Sequence, residues 1–191
     1  MLKIILLVLI AFSLPIPLWL IILHIILKRC KGLIRKTTFF SLGLLWILSL
    51  FLVFKYQLLI ISTKFEPNIF IKTLALILLI IALLIDYKVI KVLGFKRLTC
   101  VVELQKKDKP DLLITNGIYK HARHPRYVEY FLLSLFIGLF FGYQFFIYFS
   151  VYILFGFYIA TIFEEKELIK RFGKDYLEYK KNVPRFFFKI K

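Results

Sequence analysis

An uncharged run of 34 residues, 130–163, is the feature that most constrains the fold. One straight helix of that length would be about 51 Å long, whereas the hydrocarbon core of a bilayer is about 30 Å thick. The run must therefore fold back on itself, and Gly142, Tyr143 and Gln144 offer the turn. We predict a helical hairpin with two antiparallel spans, 125–141 and 144–163.

Three earlier apolar runs are also long enough to cross a bilayer. They cover residues 4–27, 37–61 and 69–87, and the lysines within them, Lys55 and Lys72, are expected to reach an interface. Of the 191 residues, 61% are hydrophobic, more than the core of a soluble domain this small could bury. The sequence predicts an all-α integral membrane protein with about five transmembrane helices in a single membrane domain.

Residues 4–27 have an alternative interpretation as a signal peptide. Pro15 and Pro17 lie in the middle of the run, its apolar stretch is too long, and no A-x-A-like cleavage site precedes Lys28. We therefore favour a membrane span.

The positions of the basic residues predict the orientation. With five spans, 24 of the 28 Lys and Arg residues fall on one side of the membrane. The positive-inside rule then places the N-terminus outside and the C-terminus in the cytoplasm. The net charge of +17 thus has a topological explanation, and we expect no nucleic-acid partner. The cytoplasmic parts are about 94–127 and 164–191.

The chain beyond Glu164 has a different periodicity. Leu168, Phe172, Tyr176 and Tyr179 recur at helical spacing among charged residues. This pattern predicts a cytoplasmic amphipathic helix, which either packs on the protein or lies among the headgroups.

A His-Pro pair marks the start of the fourth predicted span. Pro125 suits the first helical position and leaves His124 as the N-cap, so the amides of Arg126 and Tyr127 should point outward. With Arg123 nearby, this helix end could hold a carboxylate or a phosphate. The alternative is an ordinary basic cap at the membrane interface.

Glu164 and Glu165 mark the other end of the hairpin. A carboxylate beside lipid loses hydration, so we expect a cationic partner for the pair. The alternative is that they pair with Lys166 and Lys170 along a surface helix. Because the hairpin returns the glutamates to the side of His124, one ligand with an anionic group, a cationic centre and a flat ring could touch both helix ends.

At this point the sequence resembles the isoprenylcysteine carboxyl methyltransferase family, integral membrane enzymes related to the phospholipid methyltransferases. The resemblance covers about residues 86–185. It is carried by four segments: Leu113-Ile114-Thr115-Asn116-Gly117-Ile118-Tyr119, Arg123-His124-Pro125-x-Tyr127, Glu164-Glu165, and Phe172-Gly173-Lys174-Asp175-Tyr176.

The resemblance implies a methyltransferase that uses S-adenosylmethionine and admits a lipidic or prenylated acceptor from the bilayer. No metal is expected. Eight residues fall on positions that line the cofactor site in the family: Glu103, Leu113, Ile114, Tyr119, His124, Pro125, Tyr127 and Glu164. We assign Arg123 as a carboxylate clamp and Glu165, or alternatively His121, as the base that an amine acceptor would require.

Two departures from the family pattern leave the acceptor open. Asp111 stands where the family usually has a histidine, and Ala160 stands where it often has an arginine that faces the substrate. Methylation of a prenylcysteine-type carboxylate is the first expectation, and N-methylation of a lipid amine is an alternative. Two further alternatives are a nicotinamide-dependent reductase resembling the sterol reductases and a membrane protein without enzymatic activity.

Overall fold

The structure, a computed structural model of the 191-residue chain, describes residues 1–26, 43–94 and 112–186. Within these ranges every named element of secondary structure is a helix. The α-helices, in chain order, are α1 Leu2–Ser13, α2 Ile16–Ile26, α3 Leu44–Lys55, α4 Gln57–Ser62, α5 Ile69–Leu93, α6 Pro125–Phe141, α7 Gln144–Phe172 and α8 Lys174–Asn182, and a 3₁₀ helix covers Gly117–Lys120.

Among the described residues, three segments are long and apolar enough to cross a membrane. They are Leu2–Ile22, Ile69–Leu93 and Gln144–Phe172. The all-helical membrane class predicted from the sequence is therefore confirmed at this level. Helix α6 has 17 residues and α3 has 12, so the count of five spans stays a prediction.

The first two predicted spans are each interrupted by a short break. Helices α1 and α2 are separated only at Leu14 and Pro15, where the Leu14 carbonyl accepts a hydrogen bond from the Tyr152 hydroxyl at 2.9 Å. Helices α3 and α4 are separated at Tyr56, and the Lys55 ammonium lies over the Tyr56 ring. Residues 27–42 lie outside the described residues, so the start of the second span is not among them.

Helix α5 has a well-defined beginning and end. The Asn68 carboxamide oxygen accepts a hydrogen bond from the Ile71 amide at 2.9 Å, which satisfies one of the unpaired donors of the first turn. The helix ends at Gly94, whose φ of 69° is a conformation that glycine adopts readily. It therefore extends six residues beyond the predicted limit at residue 87.

Helices α6 and α7 pack against each other in opposite directions around a turn at Gly142, which has a left-handed backbone with φ of 73°. Residues 63–65 hold this turn. The Phe65 amide donates to the Gly142 carbonyl at 2.9 Å, and the Gln144 amide donates to the Thr63 carbonyl at 3.2 Å. The two loops that lack basic clusters thus meet at one end of the molecule.

The sequence placed the end of the last span, and the start of a surface helix, at Glu164. In the structure, α7 continues without a break for two further turns to Phe172, and a new helix, α8, begins after Gly173, so the end of the span stays a prediction. Helix α8 packs on α7, and its Tyr176 side chain is buried. The apolar face of the C-terminal segment therefore contacts the protein.

The helices pack in a chain of neighbours rather than around one centre. Helix α6 lies between α5 and α7, α2 packs on the other face of α7, and α1 contacts α3. A close approach between Gly156 and Pro17 brings α2 onto α7, since a Cβ atom at Gly156 would lie 2.6 Å from Pro17 Cβ. Many apolar side chains on the outer faces of α1, α3, α5 and α7 remain exposed, as expected for helices that contact lipid.

We expect substitution of Gly142 by either alanine or asparagine to destabilise the protein by about 2 kcal/mol. A Cβ atom at this position would collide with the Phe65 carbonyl oxygen. Asparagine tolerates left-handed geometry, so backbone strain alone would leave Gly142→Asn near wild type. Thermal unfolding in detergent measures both variants, and wild-type stability in Gly142→Asn would contradict the collision.

Candidate functional site

The basic end of the helix bundle carries the candidate site. Helix α6 begins here with Pro125 at its first position and His124 as the N-cap, as predicted. The outward amides expected at this helix end are only partly present, because the Tyr127 amide donates to the His124 carbonyl at 3.3 Å. The helix end is therefore less open to an anion than the sequence indicated.

The segment after α8 pairs with the residues that precede α6. The Arg123 amide donates to the Pro184 carbonyl at 2.9 Å, and the His124 amide donates to the Arg185 carbonyl at 3.0 Å. The Phe186 ring lies edge-on to the His124 ring with centroids 6.3 Å apart. The C-terminal segment thus covers one side of the His-Pro cap.

Glu165 lies at the centre of a buried ionic cluster. Its side chain is 2% exposed, and its oxygens contact Arg123 at 2.7 Å, Lys180 at 3.0 Å and Arg185 at 3.0 Å. The His124 Nε2 atom lies 3.4 Å from the same carboxylate. The expected cationic partner of the glutamate pair is confirmed for Glu165, and it comes from distant segments rather than from the neighbouring lysines.

The Arg123 guanidinium connects three parts of the chain. Its Nε and Nη2 atoms donate to Glu165 Oε1 at 3.1 and 2.7 Å, and its Nη1 atom donates to the carbonyls of Lys180 at 2.8 Å and Val183 at 2.7 Å. This use of several donors in a fixed geometry is typical of arginine. Arg123 therefore joins the start of α6 to α7 and to the end of α8.

These contacts bear on the roles predicted for Arg123 and Glu165, which stay predictions. The Arg123 donors contact Glu165 and two carbonyls, so the predicted clamp on a ligand carboxylate would require this cluster to open. Glu165 is buried among cations that favour its ionised form, so it is poorly suited to accept a proton as a base. We therefore treat both residues as structural and as positioning residues for their neighbours.

Glu164, in contrast, is partly accessible at the protein surface. Its side chain is 29% exposed, and its Oε2 atom accepts a hydrogen bond from the Tyr127 hydroxyl at 3.0 Å. The His124 Nδ1 atom lies 3.3 Å from the same oxygen. The structure thus brings together His124, Tyr127 and Glu164, three of the predicted cofactor-site residues.

Aromatic rings stack beside Glu164. The His124 and Tyr127 rings are stacked with centroids 5.6 Å apart, and the Tyr127 and Phe157 rings are stacked at 4.4 Å. Tyr119 lies close enough that Glu164 contributes to its electrostatics. Burial raises the pKa of Tyr119 to about 12, with Arg126 lowering it and Glu164 raising it further. The Tyr119 hydroxyl therefore stays protonated at neutral pH.

His124 is positioned to carry a positive charge. Burial lowers the pKa of His124, but the Glu164 and Glu165 carboxylates outweigh burial and raise the pKa above its ordinary value. Its Nε2 atom is buried and has no hydrogen-bond partner of good geometry among the described residues. His124 thus lies between the two carboxylates, with Glu164 on one side and the buried cluster around Glu165 on the other.

The remaining predicted residues are placed less specifically. Leu113 and Ile114 are partly buried in an extended segment before the 3₁₀ helix, and Pro125 is buried. Glu103 and Asp111 lie outside the described residues. Ala160 is buried in α7, one turn before Glu164.

Sequence reasoning missed the contribution of the C-terminal residues. Lys180 and Arg185 were assigned only to the cytoplasmic segment 164–191, yet both contact Glu165, and the Tyr179 hydroxyl donates to the Tyr119 carbonyl at 2.7 Å. Pro184 was the available signal, because a proline ends a helix and releases the residues after it into an extended segment. Arg185, in that extended segment, was then a candidate cationic partner for a buried glutamate.

A sequence model of the family described as phospholipid methyltransferase matches residues 70–175. Protein-S-isoprenylcysteine O-methyltransferase of Schizosaccharomyces pombe (strain 972 / ATCC 24843) is 38% identical over 81 residues, which are 41% of this chain and 34% of the relative. The match thus spans about a third of the relative's length. No solved structure matches the chain.

The apolar helices and the family match define a helical membrane protein of the methyltransferase class. The chain belongs to the phospholipid methyltransferase family, whose model covers more than half of its length. The resemblance noted in the sequence is thereby confirmed, and the matched region contains His124, Tyr127, Glu164 and Glu165.

We expect Glu165→Gln to destabilise the protein by about 3 kcal/mol or more, because it leaves buried cations without their counter-charge. Chemical or thermal unfolding in detergent measures the change. Glu178→Gln on the exposed face of α8 is the matched control, and its effect should stay within about 0.5 kcal/mol. Equal stability of the two variants would contradict the structural role of Glu165.

His124 predicts a specific pH dependence of stability. Because its pKa is raised in the folded state, its contribution is complete below pH 6.5 and is lost as the pH rises through the folded-state value. The difference in melting temperature between wild type and His124→Gln should therefore be large at pH 6 and smaller at pH 9. His121→Gln, at an exposed position, is the control and should show no such trend. A difference that grows with pH would contradict the assignment.

Proposed function

We propose that the protein is an S-adenosylmethionine-dependent methyltransferase that acts on a lipidic or prenylated acceptor reached from the bilayer. The observation that carries this proposal is the convergence of His124, Tyr127 and Glu164 beside the stacked rings. Family membership supports methyl transfer as the reaction class. The relative's name, isoprenylcysteine O-methyltransferase, supports a prenylcysteine-type carboxylate as the first acceptor to test.

The side chains around Glu164 have the charge and the aromatic surface that the proposed cofactor would require. Glu164 is accessible and acidic, which suits the hydroxyl groups and the cationic groups of S-adenosylmethionine. The Tyr127 ring is partly exposed and offers aromatic surface to a flat adenine ring. When bound, the cofactor supplies an activated methyl group on a sulfonium centre.

The chain's own residues then have three tasks. Tyr127 and His124 fix the orientation of the Glu164 carboxylate through contacts of 3.0 and 3.3 Å. The Glu165 cluster holds His124 and the C-terminal segment against the start of α6. The surrounding apolar helices exclude water, which favours transfer to an acceptor in a fixed position.

The charge states favour an acceptor that needs no general base. A carboxylate acceptor is already ionised, whereas an amine must lose a proton before it attacks. Among the described residues near Glu164, Glu165 is paired with cations, and the two glutamates raise the pKa of His124 and so disfavour its neutral, proton-accepting form. We therefore propose O-methylation of a carboxylate ahead of N-methylation of a lipid amine.

We also propose the topology predicted from the charges, with five spans, an outer N-terminus and a cytoplasmic site. The loop at Gly142 and the segment 63–65 meet at one end, and Arg123, Lys180 and Arg185 lie at the other. This separation of a strongly basic end from an end with few basic residues supports the assignment.

Membranes that contain the protein, incubated with methyl-labelled S-adenosylmethionine, test the reaction. We expect label in a prenylated peptide as a base-labile methyl ester. Glu164→Gln should reduce the incorporation at least about tenfold by removing the negative charge that contacts the cofactor. Glu178→Gln is the matched control and should retain wild-type incorporation. Label that appears only in lipid amines would overturn the carboxylate assignment, and label in no acceptor would overturn the activity.

Thermal stabilisation of the purified protein separates this proposal from the reductase alternative. S-adenosylhomocysteine should raise the melting temperature of the wild type, and NADPH should not. Stabilisation by NADPH alone would favour the reductase.

A further inference from the structure

A cavity of about 790 Å³ lies between the C-terminal half of α5 and the 3₁₀ helix. This volume is in the range of sites that bind small molecules. Tyr119, His124, Tyr127 and Glu164 are not among the described residues that line it. Among the described residues, the cavity thus shares no lining residue with the proposed methyl-transfer site, and a ligand in it would not require the proposed function.

One face of α5 forms a long wall of the cavity. The residues that line it recur at helical spacing: Ile81, Leu84, Ile85, Lys88, Lys91 and Val92. At 1.5 Å per residue this face extends for about 16 Å along the helix. Its first half is apolar, and its second half carries two ammonium groups. The wall thus changes from apolar to basic along the helix axis.

The floor of the cavity is a packed contact between two elements. Ile85 and Ile118 are 4% and 5% exposed, and both belong to the apolar cluster that joins α5 to the 3₁₀ helix. Gly117 allows the close approach, because it has a φ of 57° and a Cβ atom there would meet the Val92 side chain. The cavity is therefore held by the fold and is not an accidental surface depression.

The rim of the cavity at the basic end is polar. Lys88, Lys91 and His121 are exposed there, together with Asn116. No carboxylate is among the lining residues that the structure describes. An anionic group at this rim would meet two ammonium groups, whereas an ammonium group would meet no carboxylate among the described lining residues. The rim therefore favours a ligand with net negative charge.

The opposite end of the cavity faces the region where α5 contacts lipid. Ile81 and Leu84 line the cavity and are 40% and 53% exposed, as are many other apolar residues of the same helix. An alkyl chain that lies in the bilayer could follow this apolar half of the groove without leaving the hydrocarbon region.

We infer that this groove binds a phospholipid with a net-negative headgroup. The lipid phosphate lies between Lys88, Lys91 and His121, and one acyl chain follows Ile81 and Leu84 along α5. The groove discriminates against zwitterionic lipids because their ammonium group would lie beside the lysines.

Native mass spectrometry of the full-length protein in neutral detergent tests this assignment, with phosphatidylglycerol and phosphatidylcholine titrated in parallel. We expect a one-to-one phosphatidylglycerol adduct. The double substitution Lys88→Gln and Lys91→Gln should weaken it at least about tenfold, since two charged contacts are lost. The matched control, Lys166→Gln with Lys170→Gln, removes two exposed lysines elsewhere and should leave binding unchanged.

A second pair of variants tests the apolar half. Leu84 lines the groove and Leu83 does not, yet the two leucines have nearly equal exposures of 53% and 55%. Leu84→Trp should fill the groove and weaken phosphatidylglycerol binding, and Leu83→Trp should have no effect. Because both positions are exposed, neither variant disturbs a packed core.

Three results would overturn the inference. Equal binding of phosphatidylcholine and phosphatidylglycerol would remove the charge selectivity. Equal losses in the two lysine pairs, or in the two tryptophan variants, would indicate general attraction to the surface. Displacement of the lipid by glycerol 3-phosphate or inorganic phosphate at similar concentration would identify a site for a soluble phosphate instead.

Discussion

The buried carboxylate of Glu165 is the constraint on which the site depends. A carboxylate that is 2% exposed must be neutralised, and Arg123, Lys180 and Arg185 provide the charges. These residues come from the start of α6 and from the chain beyond α7. Neutralising one charge therefore fixes the relative positions of three segments, and it places His124 between the two glutamates.

The arrangement of His124, Tyr127 and Glu164 follows from these contacts. Once His124 is fixed, its ring stacks on Tyr127 and its Nδ1 atom faces Glu164. Adjacent glutamates thus have different environments: Glu165 is enclosed by cations, and Glu164 remains accessible. In the proposed function, this difference separates a structural role for Glu165 from a binding role for Glu164. The anionic-lipid groove on α5 lies outside this arrangement and shares only the basic end of the molecule.

Much of the fold could be predicted from the sequence, because the lengths of uncharged runs directly limit how a chain crosses a bilayer. The turn at Gly142 and the cap at His124 and Pro125 follow from such local rules. The roles of Arg123 and Glu165 could not be predicted, since they depend on Lys180 and Arg185, which approach only after α8 folds back on α7. Helical periodicity alone gave no sign of that return.

Photochemical crosslinking tests the central claim, that the cofactor binds beside His124, Tyr127 and Glu164. The purified protein would be irradiated with methyl-labelled S-adenosylmethionine and digested, and the labelled peptides would be sequenced. We expect label in peptides that contain Tyr127 or Glu164, and loss of label when unlabelled S-adenosylhomocysteine is present in excess. Label that excess S-adenosylhomocysteine removes, but that is found only in peptides from α1 to α4, would contradict the account.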